Sequence, residues 1–157
     1  MRKIVIAALL CGVIPVPTQA ADAPSWIQDK HGCKIANPSP KSDETVEWSG
    51  SCPQGMAHGK GVLQFFNAGK PGARYEGELS KGVLSGKGVL RSADGSVYDG
   101  DWVNGKPEGY GKFTDKDGNV YVGGWSAGAQ DGPGTLTSKD GQRITGTWRG
   151  GKYVDQN

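Results

Sequence analysis

Two stretches of this 157-residue chain have the glycine spacing that opens a phosphate-binding loop. In Gly100–Lys106 and in Gly146–Lys152, a glycine is followed by four residues and then by Gly-Lys. Such a loop needs a serine or threonine after the lysine to hold magnesium, and a helix whose N-terminus binds phosphate. Here Pro107 and Tyr153 follow, and neither begins a helical pattern. We therefore expect turns at both places, and no nucleotide.

The segment Asp115-Lys-Asp117-Gly-Asn119 alternates oxygen-bearing side chains as the first half of a calcium loop does. That loop needs a closing acid about eleven residues after its first aspartate, and its glycine lies further along. This chain has Ser126 at the closing position. We interpret the segment as a hairpin turn and expect no resident metal.

The two histidines have no partner residues in a spacing typical of a nucleophile and its base. His58 precedes a pair of glycines at a position that Ser85, Glu108 and Asp131 take elsewhere, which is typical of a solvated turn. His31 lies in an irregular segment beside Gly32-Cys33. Neither histidine predicts a hydrolytic triad.

Two pairs of carboxylates alternate along the chain and would share one face of a strand. They are Glu76 with Glu78, and Asp99 with Asp101. Later in the chain the matching positions hold Val122 and Gly124, so we interpret the pairs as a solvated face with lysine partners. The sequence thus predicts no catalytic residue and no enzymatic activity. A hydrolase that uses such a carboxylate pair is the remote alternative.

Apart from His31, these residues lie in a part of the chain that is built from a motif recurring every 23 residues. Each copy begins with Tyr or Ile and has a glycine two positions later. Trp or Leu follows after two more positions, and a glycine closes the copy three positions after that. The copies are Tyr75–Gly82, Tyr98–Gly105, Tyr121–Gly128 and Ile144–Gly151. A second half, Gly-x-Gly-x-(Leu/Phe), follows as Gly86–Leu90, Gly109–Phe113 and Gly132–Leu136. A fixed period of this length predicts a repeat array.

Alternation within each half places the large residues and the glycines on one face of a strand. Asn104-Gly105 and three Asp-Gly pairs, at 94, 117 and 140, are typical of tight hairpin turns. We predict an elongated, single-layer antiparallel meander in which rings lie over bare glycine backbone. The rings form rows that we interpret as core, with their edge as a binding surface: Tyr75, Tyr98, Tyr121, Trp102, Trp125 and Trp148.

The unit Tyr-x-Gly-x-(Trp/Leu)-x-x-Gly-x-x-x-Gly-x-Gly-x-(Leu/Phe), closed by Asp-Gly, resembles the MORN (membrane occupation and recognition nexus) repeat. The resemblance covers about two-thirds of the chain, in units near 48–74, 75–97, 98–120 and 121–143 and a half-unit at 144–151. The first unit is the most divergent, and four extra residues fall within Asn67–Ala73. The resemblance implies an all-β array of stacked hairpins that acts as a scaffold, a dimerisation module or a lipid-binding module.

Residues 1–20 have a basic tip, a short apolar run and small residues before Ala21, as a secretory signal peptide does. We therefore expect cleavage near Ala20 and a periplasmic or secreted mature protein of a bacterial type. Cleavage removes Arg2 and Lys3, which leaves equal numbers of acidic and basic side chains. A neutral array has no global field for nucleic acid, which we exclude as a partner.

Two cysteines, Cys33 and Cys52, lie beyond the predicted signal peptide. An even pair in an oxidising compartment predicts a disulfide, and a metal or reactive-thiol site is the alternative. The bond would staple an irregular N-terminal cap, residues 21–45, to the array, residues 46–157.

The sequence therefore predicts a secreted, non-catalytic protein-interaction or scaffold module that binds a protein, itself, or an enzyme that it restrains. The alternative is a module that binds a membrane surface or an envelope polymer. Lipid headgroups or glycans would then contact the aromatic rings together with Lys60 and Lys87.

Overall fold

The computed structural model describes residues 25–154, and the predicted signal peptide lies outside them. This part of the chain is almost entirely β-structure, with one 3-10 turn at Pro53–Gly55. Its strands are β1 (Trp26–Gln28), β2 (Lys34–Ala36), β3 (Glu44–Trp48), β4 (Gly59–Asn67), β5 (Lys70–Ser80), β6 (Val83–Arg91), β7 (Val97–Val103), β8 (Lys106–Thr114), β9 (Val120–Ser126), β10 (Ala129–Thr137), β11 (Arg143–Arg149) and β12 (Lys152–Val154).

Strands β3 to β12 form one ten-stranded antiparallel sheet in which each strand pairs with its neighbours in the chain. This arrangement confirms the predicted all-β meander. Strands β1 and β2 pair with each other as a separate hairpin, within the segment that we predicted as an irregular cap. None of the helical turns in the described residues is long and apolar enough to cross a membrane.

The repeat sets the register of the sheet. Gly100 of β7 pairs with Gly111 of β8, which in turn pairs with Gly123 of β9. Tyr98, Phe113 and Tyr121 form an equivalent row on the same three strands. Equivalent residues of successive units therefore lie side by side across the sheet, because each hairpin repeats the register of the one before it.

Two-residue turns join the strands within a unit. At the turn between β7 and β8, Asn104 and Gly105 both have positive φ, at 50° and 78°. Two central residues with positive φ give a turn whose twist matches that of the strands, which is why Asn-Gly is favoured here. The four extra residues of the first complete hairpin lengthen β4 and β5, which meet at a turn of Ala68 and Gly69.

A ladder of hydrogen bonds connects these turns to one another. The backbone N–H of Gly105 donates to the carbonyl oxygen of Leu84 at 3.0 Å. Gly128 donates to Pro107 at 3.0 Å, and Gly151 donates to Gln130 at 2.9 Å in the same way. Each turn is thus fixed against the start of the preceding hairpin's second strand, which holds neighbouring units at a constant spacing.

The core is a row of interlocked aromatic rings on one face of the sheet. Trp102 contacts Tyr75 and Tyr98 edge to face, with centroids 5.5 and 5.1 Å apart. The same contacts continue through Trp125, Tyr121 and Trp148 to Tyr153 in β12. Edge-to-face pairs contribute about 0.5–1.5 kcal/mol each beyond the area that they bury, so one layer of rings can stabilise a thin sheet.

The cap closes the N-terminal end of this row. The predicted disulfide between Cys33 and Cys52 is formed. Cys52 occupies the position that Leu79 and Trp102 take in later units, so the bond stands where a large core side chain would. Ile35 of β2 is also buried, with 1% of its surface exposed.

Candidate functional site

The tyrosines that begin the units, Tyr75, Tyr98 and Tyr121, are each fixed at both the ring and the hydroxyl group. The Tyr98 hydroxyl donates to the carbonyl oxygen of Asp101 at 3.0 Å, three residues along the same strand. Tyr75 and Tyr121 make the equivalent bonds, at 3.1 Å each. In the divergent first unit, Nε1 of Trp48 donates to the carbonyl oxygen of Ser51 at 2.9 Å, so the tryptophan replaces a tyrosine.

Burial changes the acidity of these hydroxyl groups. Loss of hydration raises the pKa of Tyr75 to about 12, and the nearby Glu78 carboxylate adds to this effect. Desolvation and the Asp101 carboxylate likewise raise the pKa of Tyr98 to about 12. The pKa of Tyr121 is also raised, mainly by burial. These hydroxyl groups are neutral donors at physiological pH.

The tryptophans are anchored in the same way. Nε1 of Trp102 donates to the Gly88 carbonyl oxygen at 3.0 Å, and Nε1 of Trp125 donates to that of Gly111 at 3.2 Å. All six residues of the predicted aromatic edge are buried: Tyr75, Tyr98, Tyr121, Trp102, Trp125 and Trp148. Most of their surface is therefore packed in the core, and the polar atoms of all but Trp148 make the internal hydrogen bonds given above. Their direct contact with a partner stays a prediction.

The two lysines considered for headgroup contacts lie on the opposite, solvated face of the sheet. Nζ of Lys60 is 3.5 Å from the Glu78 carboxylate, and Nζ of Lys87 is 2.6 Å from Asp101. The bond from Lys87 lowers the pKa of the Asp101 carboxyl group. Both lysines therefore face an acid, and their role in headgroup binding stays a prediction.

The other polar motifs take local structural roles. Asp115 accepts hydrogen bonds from the backbone N–H groups of Asp117 and Asn119, each at 2.9 Å, within the turn between β8 and β9. Glu76 pairs with Arg74 at 2.9 Å. Within residues 25–154, no cluster of three His, Cys, Asp or Glu side chains is arranged to hold a metal ion.

A polar cleft of about 400 Å³ lies where the cap turn meets the solvated face of β3 to β5. Lys30 of the turn and Glu47 of β3 both line it, and they form an ion pair at 3.1 Å. The backbone N–H groups of His31 and Cys33 donate to the Asp29 carboxylate at 2.8 and 2.9 Å. The ion pair binds the cap to the sheet, and the bonds to Asp29 fix the cap turn, so these polar groups have structural partners.

The larger cavity is a groove of about 560 Å³ on the aromatic face, which we call the aromatic groove. Tyr98, Trp102 and Trp125 contribute to its lining from the core rows. Further along, it is lined by Pro107, Ala129, Gln130 and by the turn glycines Gly128 and Gly151. Among the described residues that line it, none carries a charge. The groove therefore suits an uncharged, mainly apolar ligand surface.

The sequence analysis did not identify two residues of the groove, Pro107 near the start of β8 and Gln130 near the start of β10. Pro107 and Gln130 precede the first of the paired glycines by two positions, as Ala57 and Leu84 do in earlier units. This position lies one residue beyond the turn-flanking pair, and it varies between units while the glycines around it do not. That variability is the signal in the sequence that could have drawn attention to it.

A comparison with protein-family models agrees with this architecture. The model described as MORN repeat matches residues 54–70, 75–97, 98–120 and 121–143, which is more than half of the chain. No curated protein matches the chain. The matched residues include every strand that lines the aromatic groove. Of the lining residues, Gly151 lies outside the match.

Proposed function

Because this chain belongs to the MORN-repeat family, whose repeats are commonly protein or membrane-lipid interaction modules, we propose that it is a non-catalytic protein-binding module. It works outside the cytoplasm, and its aromatic groove holds the partner. The observation that carries this proposal is the uncharged groove of about 560 Å³, lined by the edges of the aromatic rows.

The distribution of charge favours a protein over an anionic membrane. Lys60 and Lys87 lie on the face opposite the groove and are paired with Glu78 and Asp101. Binding to anionic lipid headgroups needs several unpaired basic side chains on one surface. Aromatic and uncharged residues in a concave site are instead typical of the centre of a protein interface.

The disulfide supports a location outside the cytoplasm. Bonds such as Cys33–Cys52 persist in oxidising compartments and are rare in reducing ones. The signal peptide predicted at residues 1–20 agrees with that location. We further propose that the mature protein begins near Ala21 and acts as a scaffold, or restrains an enzyme of the same compartment.

A pair of substitutions on β10 tests the groove. Gln130→Lys places a cation in the groove beside Trp125, with which Gln130 pairs across the hairpin. Earlier units have Ala57, Leu84 and Pro107 at this position, so the hairpin should tolerate the change. Thr137→Lys adds the same charge to β10 at a position that alternates onto the opposite face. The measurement is capture of proteins from the envelope or medium of the source organism by the tagged mature protein.

We expect one dominant protein to be captured by the unmodified chain and by Thr137→Lys, and to be lost with Gln130→Lys. Both variants must first show the thermal unfolding of the parent protein. Capture that is equal in the two variants, or no capture by the unmodified chain, would contradict binding through the groove.

A further inference from the structure

The cap strand β2 lies against the first units as a bound segment would. The N–H of Ala57 donates to the carbonyl oxygen of Lys34 at 3.1 Å, and the N–H of Ala36 donates to that of Gly82 at 2.8 Å. Gly82 in turn donates to the carbonyl oxygen of Ala57 at 2.7 Å. An extended segment is thus held by one N–H and one carbonyl group of two adjacent hairpins. We call this pair of groups the backbone seat.

The same pair of groups recurs in the last hairpins of the array that the structure describes. Gln130 is equivalent to Ala57 and Gly151 to Gly82, since the same bond, at 2.9 Å, joins Gly151 to Gln130. Both residues line the aromatic groove. The difference lies in burial: Gly82 is covered by the cap, whereas the later turn glycines Gly105, Gly128 and Gly151 are exposed.

The hairpin geometry directs the N–H of Gln130 out of its own hairpin. Ser126 and Ala129 flank the two-residue turn and form its hydrogen-bonded pair, so the next pair, Trp125 with Gln130, is not hydrogen-bonded. The N–H and carbonyl groups of Gln130 therefore point away from Trp125 and towards the hairpin that follows. Its carbonyl oxygen already accepts the bond from Gly151 there.

Two equivalent pairs lie between these ends, Leu84 with Gly105 and Pro107 with Gly128. The second pair is not a complete seat, because Pro107 has no backbone N–H to donate. The turn bond from Gly128 to the Pro107 carbonyl oxygen is nevertheless formed at 3.0 Å. The chain itself therefore shows that proline is compatible with the fold at this position, while removing the donor.

We propose that the aromatic groove binds an extended segment of a partner protein through the backbone seat at Gln130 and Gly151. This inference rests on the proposed function and names the kind of partner that it takes. The segment accepts a hydrogen bond from the Gln130 N–H and donates one to the Gly151 carbonyl oxygen. Between these two bonds it carries an aliphatic side chain, as β2 carries Ile35, which is buried among the core residues.

The direction of the segment follows from the cap. Lys34 of β2 forms a parallel bridge with Met56, whose equivalent in the last complete unit is Ala129. The bound segment therefore runs parallel to the beginning of β10. Its side chains in the groove are uncharged, because no described lining residue could pair a buried charge.

The cap itself supplies a probe for the test. A synthetic peptide of residues 25–37, with Cys33→Ser to prevent disulfide exchange, is titrated into the disulfide-bonded, isotope-labelled protein. We expect the largest amide chemical-shift changes at Gln130 and Gly151 and at their neighbours in the aromatic groove. Changes confined to the cap or to the solvated face would overturn the proposal, as would no binding at all.

Two substitutions of one residue separate backbone from side chain. Gln130→Pro removes the N–H donor and should weaken peptide binding about tenfold, because the carbonyl oxygen of the segment would be buried without a donor. Gln130→Ala keeps the donor and should bind within about twofold of the parent. Equal affinity of Gln130→Pro and Gln130→Ala for the peptide would contradict binding through the backbone seat. If Gln130→Pro does not fold, Gln130→Lys gives the same test by blocking the groove.

This test is distinct from that of the proposed function. If the peptide does not bind, yet Gln130→Lys abolishes capture of the natural partner, the groove binds proteins by another mode and only the present inference fails. Self-association that Gln130→Pro removes, without peptide binding, would identify a second copy of the chain as the occupant and would also overturn it.

Discussion

The ring of Tyr98 lies so close to Gly111 that a β-carbon at that glycine would be 2.5 Å from the tyrosine hydroxyl oxygen. Tyr98 belongs to β7, and Gly111 lies opposite Gly100 on β8. The contact explains why glycine recurs within strands, where it has poor propensity: the ring takes the space that a side chain would fill. Tyrosine and glycine thus form one packing unit, which the array repeats.

Gly111→Ala should therefore lower the free energy of unfolding by about 2–3 kcal/mol through overpacking against the ring of Tyr98. Gly141→Ala is the control, since it has no neighbour within 4 Å of the added carbon and has a φ of 86°. Its cost is limited to left-handed backbone strain, about 1–2 kcal/mol. Urea denaturation measures both. A cost for Gly111→Ala that does not shrink when Tyr98 is also replaced by valine would contradict the packing unit.

The cap should depend on its disulfide as a unit. Cys33→Ser and Cys52→Ser should each reduce the free energy of unfolding by about 3 kcal/mol, since the bond closes a loop in the unfolded chain. The double variant should lose no more than either single one, because both remove the same bond. Denaturation of the three variants under oxidising conditions measures this. Additive losses would mean that the cysteines stabilise the fold separately.

Stability at high pH should follow the buried tyrosines. The folded pKa values of Tyr75 and Tyr98 are raised to about 12, above an unfolded value of about 10. The folded state therefore retains the tyrosine hydroxyl protons to a higher pH than the unfolded state. This contribution to the free energy of unfolding is complete below pH about 10 and is lost as the pH rises towards 12. Denaturation from pH 8 to 12 should show the decline, and a Tyr98→Phe variant should show less of it. An unchanged free energy of unfolding across this range would refute it.

The ion pairs of the solvated face should contribute little. Lys87→Ala should cost less than about 1 kcal/mol, because its partner Asp101 is partly exposed and salt screens the pair. The pKa of Asp101 is lowered by Lys87, so the contribution is present above the unfolded pKa of about 3.9 and fades as the pH falls below it. Denaturation of both proteins at pH 7 and pH 3 checks this, and a difference that persists at the lower pH would contradict it.

The fold could be predicted from the sequence because its determinants are local and repeated. The spacing of Tyr98, Gly100 and Trp102 sets one face of a strand, and Asn104-Gly105 sets the turn that follows. With the period known, every later hairpin takes the same register. The cysteine pair could also be predicted, because only Cys33 and Cys52 follow the predicted signal peptide.

The groove could not be predicted in the same way, because it arises between units. The bond from Gly151 to Gln130 joins residues in adjacent hairpins, and no local pattern specifies it. The position of β2 against Gly82 likewise depends on how the cap folds back on the array. The sequence predicted the tyrosine and tryptophan rows as core with a binding edge; their rings are buried, and the role of the edge stays a prediction. Residues close to the turns, such as Pro107 and Gln130, line the groove beside these rings.

Membership of the MORN-repeat family and the groove's lining lead to one central claim, that the aromatic face binds a protein. The most direct measurement places a photocrosslinking amino acid at position 130 or at position 137 of β10. Residue 130 lines the groove and pairs with Trp125, whereas residue 137 alternates onto the solvated face. Irradiation with envelope or medium proteins of the source organism should give a crosslinked partner from position 130 and none from 137. A partner crosslinked from position 137 alone, or equally from both, would contradict the claim.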